Sequence, residues 1–444
     1  MRIKLSGPLV LFLGFAFSQT SYAASNLEAL ARKALSEDAS ESASAIVELR
    51  VLGPEGLHAL FQVYECEINR QVTNPSQAMT SEWRRVSAAL DAVSQQKDSY
   101  LSGLYWYTDF DRAKAAARAA GKPILSLRLL GKLNEEFSCA NSRFFRTILY
   151  SNSEVSKMLR ARFILHWQSV RPAPRITIDY GDGRKLERTL TGNSIHYILD
   201  SDGRPLDALP GLYGPGAFMR SLVEIEGVFM QLSKAGDRDG KLTVTMSAHH
   251  RARLNAINLD WLADTQKTGG KIPQGFVVMR RENGTPEALE IASLAITKMV
   301  TEASILRSMT AGAEALGAVT DETAWNKIAL LHMADAQLDE RSIGLIQRQT
   351  QKLFMADGSK TKPDTALAKL VQKLQLNIAL DTMRNEYLLH TKLHAWLVAT
   401  PLRDIEALNN KVYAELFMTP ATDPWLGLLS PQTYVALENG GVVR

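Results

Sequence analysis

The sequence has little cysteine, no concentration of charge of one sign, and no long apolar run beyond its N-terminus. Only Cys66 and Cys139 occur among 444 residues, so a fold held together by disulfides is excluded and stability must come from packing. The net charge of +4 is dispersed, with no run of five basic residues, whereas nucleic-acid binding uses a basic stripe. No later segment reaches the roughly 18 consecutive apolar residues of a membrane span. We therefore expect neither nucleic-acid binding nor stable insertion into a membrane.

Several catalytic motifs are also missing. The sequence contains no Gly-x-Ser-x-Gly nucleophile motif, no phosphate-binding glycine-rich loop and no His-Glu-x-x-His. The composition, 45% hydrophobic and 22% charged, is that of an ordinary globular protein. The length suggests about two to three domains. We expect a folded protein with no cofactor and no bound metal ion.

Residues 1–23 have the pattern of a signal peptide. Arg2 and Lys4 form a basic start, an apolar stretch occupies residues 8–17, and Ser21-Tyr22-Ala23 places small residues where a signal peptidase cleaves. The apolar stretch is short for a membrane span of about 20 residues, and an N-terminal membrane anchor is the alternative interpretation. The pattern therefore predicts a periplasmic or secreted protein, in a compartment where disulfides can form.

The rest of the chain divides into three segments by pattern. Residues 24–100 have helical spacing, with a break at Gly53-Pro54 that resembles one HEAT-type helix pair, and no second copy follows. Cys66 falls in this segment, where we expect a small, buried and inert side chain. Residues 101–237 alternate between helix and strand patterns, which is typical of layered α/β domains. Residues 238–444 are almost entirely helical in pattern, long enough for a helical domain.

The α/β segment carries a series of residues in a particular order. Trp106 precedes an alanine-rich helix, and Gly121-Lys122-Pro123 introduces an apolar strand at 124–130. Cys139-Ala-Asn-Ser142 begins the next helical stretch, which extends to about residue 162 with an interruption at Ser151-Asn-Ser153, where Ser153 is the expected new N-cap. A strand at 163–170, a hairpin around Gly181-Asp182-Gly183, a strand from 194 to 200 and a closing helix at 215–235 follow.

This series, over about residues 103–235, resembles the thioredoxin superfamily, particularly its bacterial exported members. The Cys139-Ala-Asn-Ser142 stretch matches the position of the family's Cys-x-x-Cys, and Gly192 to Gly203 matches the family's stretch from its cis-proline to the next turn. The resemblance implies a thioredoxin-like domain, a mixed sheet with flanking helices, between all-α N-terminal and C-terminal segments. It implies that Ser194 occupies the cis-proline position.

The departures from the family pattern bear on activity. Dithiol oxidoreductase chemistry needs a second thiolate to release the mixed disulfide, and Ser142 stands where that cysteine would be. What is left is a monothiol arrangement. At a helix N-terminus the thiolate of Cys139 would be favoured, Ser142 would donate a hydrogen bond to it, and Arg143 would add positive charge. Resolution would then require an outside thiol.

Two functions stay open on this basis. The first is an exported monothiol protein that exchanges disulfides through Cys139 with thiol-bearing or disulfide-bearing proteins, or with small thiols. The second is a non-catalytic thioredoxin-fold scaffold or protein-interaction module in which Cys139 is a small apolar side chain. Whether the chain is an enzyme depends on this choice, and the sequence gives no oligomeric state.

The histidines give weaker signals. Glu386, His390 and His394 share one helical face, but the apolar neighbours indicate ordinary packing, and Lys392 would disfavour a cation. The His249-His250 pair lies beside arginines and is expected in a solvated basic turn. His166 is expected to be packed in a strand. For His196, which alternates with Ile195 and Tyr197 on the strand after Ser194, a position facing the Cys139 site is the less favoured interpretation. Trp425 is expected to dock the C-terminal tail.

Overall fold

The computed structural model describes residues 25–189, 192–235, 239–270, 313–356, 363–399, 404–425 and 442. The predicted signal peptide lies outside the described residues. Among the helices that are described, none has the length and apolar character needed to cross a membrane.

Five helices form the N-terminal part: α1 (25–33), α2 (Ala39–Val51), α3 (Pro54–Val63), α4 (Glu65–Thr73) and α5 (Ser81–Ser94). Local signals set their limits. Asp38 caps α2 by accepting from two backbone N–H groups of its first turn. Gly53, at φ of +72°, allows the turn that the sequence pattern places between α2 and α3. Trp83, Val86 and Leu90 of α5 are fully buried and hold these helices together.

A five-stranded mixed sheet follows in the chain. Its strands are β1 (Trp106–Tyr107), β2 (Ile124–Leu130), β3 (Ile164–Arg171), β6 (Ser194–Leu199) and β7 (Pro205–Pro210). Their spatial order is β1-β3-β2-β6-β7, with β1, β3 and β2 parallel and β6 and β7 antiparallel to their neighbours. A separate hairpin, β4 (Arg175–Asp179) and β5 (Lys185–Thr189), is inserted between β3 and β6. Every residue of β2 is buried, as its apolar run predicts for a central strand.

Helices flank the sheet: α6 (Phe110–Ala120), α7 (Ala140–Phe144), α8 (Ser153–Arg162) and α9 (Pro215–Ala235). A π-helical turn, Phe145–Leu149, continues α7. The N-cap of α8 is Asn152 and not the expected Ser153, because the Asn152 side chain reaches the backbone N–H groups of Glu154 and Val155, each at 3.1 Å. The predicted combination of an α/β region with helical segments on both sides is therefore present.

The C-terminal part is helical. It contains α10 (Asp239–Lys267), α11 (313–319), α12 (Glu322–Leu331), α13 (Glu340–Ala356), α14 (Pro363–Arg384), α15 (Thr391–Ala399) and α16 (Ile405–Lys411). Short π-helical stretches lie at Asn385–His390, between α14 and α15, and at Val412–Leu416, after α16. Leu393, Leu408 and Val412 belong to the same apolar core as the strands, so much of this part packs directly on the α/β region. A smaller core surrounds Trp261.

Candidate functional site

Cys139 lies at the start of α7, beyond the end of the central strand. Its N–H donates to the carbonyl of Leu130 at 3.0 Å, which ties the cysteine to the end of β2. Its side chain is fully buried. Its Sγ donates a long hydrogen bond to the carbonyl oxygen of Asn193, at 3.9 Å. The structure thus brings Cys139 beside the turn that precedes Ser194, two positions that are 54 residues apart in the chain.

The expected hydrogen bond from Ser142 to the thiol is wrong. The Ser142 hydroxyl donates instead to the backbone carbonyl of Cys139, at 2.9 Å. A serine inside a helix commonly bonds to the carbonyl three or four residues earlier, because that acceptor is within reach of its short side chain. Arg143 is half-buried one position further on, with its N–H bonded to the same carbonyl at 3.2 Å.

Ser194 begins β6 and pairs with Leu129 of the central strand. Its carbonyl accepts from the N–H of Gly211 at 2.9 Å. Its hydroxyl is buried and has no hydrogen-bond partner among the described residues. This serine therefore contributes strand pairing through its backbone, and its side chain fills space near the cysteine without a polar role of its own.

A segment from the far end of the chain covers the cysteine. We call residues 412–423 the C-terminal cap. The Tyr413 hydroxyl donates to the Asn193 carbonyl at 3.2 Å, and the Asn193 amide donates to the Thr419 hydroxyl at 2.9 Å. Arg171, at the end of β3, donates to the carbonyls of Asp423 and Thr419 at 2.8 and 3.1 Å. The cap therefore closes over the side of the sheet where the thiol lies.

One expectation about this region is corrected, and one less favoured alternative is excluded. Trp425 is 47% exposed, and the tail is held by Thr419 and Asp423 instead. His196 is buried, but its Nε2 bonds to the Tyr150 hydroxyl at 2.6 Å and its ring packs on Phe145 and Phe218. Burial lowers the pKa of His196 to about 3, so it is a neutral packed side chain and not a base directed at the thiol.

The second cysteine is also placed differently from the prediction. Cys66 is exposed, because the buried face of α4 is formed by Glu67, Ile68 and Gln71 and Cys66 lies on the opposite side of the helix. The protein therefore has a buried thiol at Cys139 and an accessible thiol at Cys66, whereas the sequence predicts a buried and inert Cys66.

A cluster of buried histidines forms a second candidate site. Asp207 of β7, His250 of α10 and His394 of α15 each direct one oxygen or nitrogen into a common region, with these atoms all within 4.8 Å of one another. His250 Nδ1 lies 3.0 Å from His394 Nδ1, and His394 Nδ1 lies 3.9 Å from Asp207 Oδ1. The expected solvated turn at His249-His250 is wrong: both residues belong to α10, which packs against α15, and His250 is 2% exposed.

An outer layer of polar groups supports this cluster. His390 bridges two carboxylates, with Nε2 at 3.1 Å from Asp207 and Nδ1 at 2.9 Å from Glu386. Glu386 also accepts from Arg253 at 2.9 Å and from the Tyr213 hydroxyl at 3.2 Å. Burial alone would lower the pKa of His390, but these two carboxylates raise it to about 9. His390 is therefore the positive member of the cluster.

The other two histidines are in the neutral form. Burial lowers the pKa of His250 to about 3 and holds the pKa of His394 well below its usual value. Burial would raise the pKa of Asp207, but the histidines around it keep the pKa well below the usual range. Neutral imidazole and carboxylate are the forms that bind metal ions. Lys392, which seemed unfavourable for a cation, is exposed and points away from the buried face that carries His394.

A cleft lies between the N-terminal helices and the edge of the sheet. Its volume is about 790 Å³. Aromatic rings and basic side chains line it, including Phe61, Tyr100, Tyr105, Tyr107, Arg160 and Arg341. The cleft contains neither cysteine nor any member of the histidine cluster. The described structure therefore offers three separate features that could carry a function: the Cys139 region, the histidine cluster and this cleft.

Comparison of the chain with family models, with curated proteins and with solved structures gives no match.

Proposed function

We propose that the protein is an exported, non-catalytic thioredoxin-like scaffold, acting in the periplasm or outside the cell. The order of elements supports a thioredoxin-like domain. An apolar strand at the centre of the sheet, β2, leads to a helix that starts at Cys139, a parallel strand follows, and two antiparallel strands and a closing helix complete the series. These are the elements that the sequence resemblance implies, in the same order.

The observation that carries the non-catalytic assignment is the burial of Cys139. Disulfide exchange requires the attacking sulfur to approach a disulfide in line, so the thiol must be reachable. Here Cys139 is 0% exposed, and the Asn193 turn that its sulfur contacts is held by Tyr413 of the C-terminal cap. The Ser142 hydroxyl bonds to backbone and not to sulfur, so it does not stabilise a thiolate. Cys139 then acts as a small apolar side chain in a packed core.

The cleft beside the N-terminal helices is the surface through which such a scaffold would hold a partner. Arg160 and Arg341 supply positive charge, and tyrosines supply flat apolar faces with polar edges. Arginine and tyrosine are the residues most enriched where proteins bind one another tightly. The partner chemistry that fits is an acidic chain segment that carries an aromatic side chain.

Trapping of disulfide partners tests the proposal. The protein is exposed to an oxidised extract of the export compartment and run on non-reducing gels, with Cys139→Ala and Cys66→Ala compared. Adducts should disappear in Cys66→Ala and persist in Cys139→Ala, because only Cys66 is accessible. The protein should also fail to reduce model disulfides catalytically. Adducts that depend on Cys139, or sustained turnover, would show that the scaffold assignment is wrong.

The second candidate is monothiol exchange through Cys139 with thiol-bearing or disulfide-bearing proteins or small thiols. The observation that favours it is the position of the sulfur, at the first residue before a helix and beside the Asn193 carbonyl. This function requires the C-terminal cap to move. Tyr413→Ala, which removes the contact between the cap and Asn193, should then create Cys139-dependent adducts. If it creates none while the protein stays folded by circular dichroism, monothiol exchange is excluded.

A further inference from the structure

We propose that Asp207, His250 and His394 form a binding site for a divalent transition-metal ion of the zinc type. The strand β7 supplies the carboxylate, and two helices, α10 and α15, supply the imidazoles. The site is separate from both cysteines, so it neither depends on the scaffold proposal nor shares its tests.

The spacing of the donor atoms is the first observation. The three donor atoms lie within 4.8 Å of one another, and two of the separations are 3.0 and 3.9 Å. In a tetrahedral zinc site with bonds of about 2.0–2.1 Å, ligand atoms are roughly 3.3 Å apart. The donors therefore already lie near the separations that coordination requires, and small side-chain movements complete the geometry.

The second observation is an unpaired nitrogen beside Asp207. The Nε2 of His249, whose side chain is 9% exposed, lies 3.7 Å from Asp207 Oδ2 and has no hydrogen-bond partner among the described residues. A buried nitrogen without a partner is destabilising, because it has lost its hydrogen bonds to water. A cation bound by Asp207 gives this nitrogen a partner, so His249 is the side chain available for a fourth position.

The donor set selects the kind of ion. Calcium and magnesium require mainly oxygen ligands, six or more for calcium, which two imidazoles do not provide. Imidazole with carboxylate suits zinc and its neighbours in the first transition row. The outer layer fits this assignment, because ligating groups are normally oriented by further hydrogen bonds. Here His390 holds Asp207, and Glu386 holds His390 in turn.

The test measures zinc binding by the full chain. Protein treated with a chelator is equilibrated with Zn²⁺, and a second sample is refolded in its presence, because the site is buried. We expect one zinc ion per chain and a raised Tm. His394→Asn and Asp207→Asn should each weaken the affinity for zinc by at least about 100-fold. Loss of a residue that only orients a ligand weakens metal binding by about 10–100-fold, and loss of the ligand itself should cost at least as much. His58→Asn, at an exposed position, and His166→Asn, at a buried one outside the cluster, should leave it unchanged.

Cobalt keeps the proposal testable if the cluster variants do not fold. Unmodified protein loaded with Co²⁺ should show the intense visible absorption of a low-coordinate site with nitrogen ligands. Absence of that absorption, or of stoichiometric zinc in both the equilibrated and the refolded samples, would overturn the proposal. Equal affinity of His394→Asn and the two control variants would overturn it as well.

Discussion

The accessibility of Cys139 can be predicted quantitatively from the contacts of the C-terminal cap. In the native state the thiol reacts with a small disulfide reagent only after the cap opens, so the observed rate is the intrinsic rate multiplied by the open fraction. Opening breaks four hydrogen bonds of 3.2 Å or less, two through Asn193 and two through Arg171, and a longer one of 3.5 Å from Arg171 to the Pro420 carbonyl. We count the four shorter bonds at about 1 kcal/mol each and take the lost apolar contacts as balanced by regained chain entropy, so opening costs about 4 kcal/mol.

This free energy corresponds to an open fraction on the order of 10⁻³. We therefore expect native Cys139 to react about 10³-fold more slowly than the same thiol in denaturant. The exposed thiol of Cys66 should show little protection. The assay follows the release of a coloured thiol in the Cys66→Ser and Cys139→Ser variants, each with and without urea, so that every thiol is compared with its own unfolded rate.

A single substitution tests the role of the cap itself. Tyr413→Phe removes the hydroxyl that bonds to the Asn193 carbonyl and should speed the reaction of Cys139 about fivefold, the equivalent of about 1 kcal/mol. Tyr180→Phe, at a tyrosine 55% exposed on the β4–β5 side, is the matched control and should have no effect. The reasoning is refuted if native Cys139 reacts within tenfold of its unfolded rate, or if the two variants behave alike.

Three further predictions concern pH, backbone packing and processing. Hydrogen bonds to Asp264 and to a second carboxylate raise the pKa of His332 to about 9, above its unfolded value of about 6.5. The contribution of His332 to stability is therefore complete below pH 6.5 and is lost as the pH rises through 9. In urea unfolding, His332→Asn should be less stable than the unmodified protein by up to roughly 3 kcal/mol at pH 6, reduced by solvent screening, and the two should converge at pH 10. Gly56→Ala should destabilise, since its Cβ would meet the Leu49 carbonyl at 2.1 Å, whereas Gly227→Ala, in an open position of α9, should stabilise by up to about 1 kcal/mol in thermal unfolding. Protein from the exported fraction should begin at Ala24 or at the next residue by intact mass, and retention of residues 1–23 there would indicate a membrane anchor.

Local patterns predicted much of the secondary structure of the N-terminal helices and of the α/β region. The apolar run of β2, the Gly53-Pro54 break, the glycine turn between β4 and β5, and the capped start of α8 each depend on residues a few positions apart. Backbone preferences and side-chain periodicity act over that distance, so they can be read without knowing the fold. Even the one misplaced cap, Asn152 for Ser153, is an error of a single residue.

The sequence did not reveal which side chains would be buried together. Cys66 is exposed although the sequence predicts it to be buried, because burial depends on which face of a helix meets another element. The single sequence signal for the metal-binding cluster was the shared face of Glu386, His390 and His394, and it could not show what that face would meet.

By itself, then, the sequence determined the order of the helices and strands of the α/β region apart from β1 and β7, the absence of a Cys-x-x-Cys pair, and the position of Cys139 at the start of a helix. The tertiary structure alone decided that Tyr413 would cover the Asn193 turn beside that cysteine, 220 residues away in the chain, and that His250 would meet His394 across 144 residues. Such contacts arise from the packing of helices onto the sheet. Packing is set by the shapes and apolar faces of whole elements, so no local pattern encodes it.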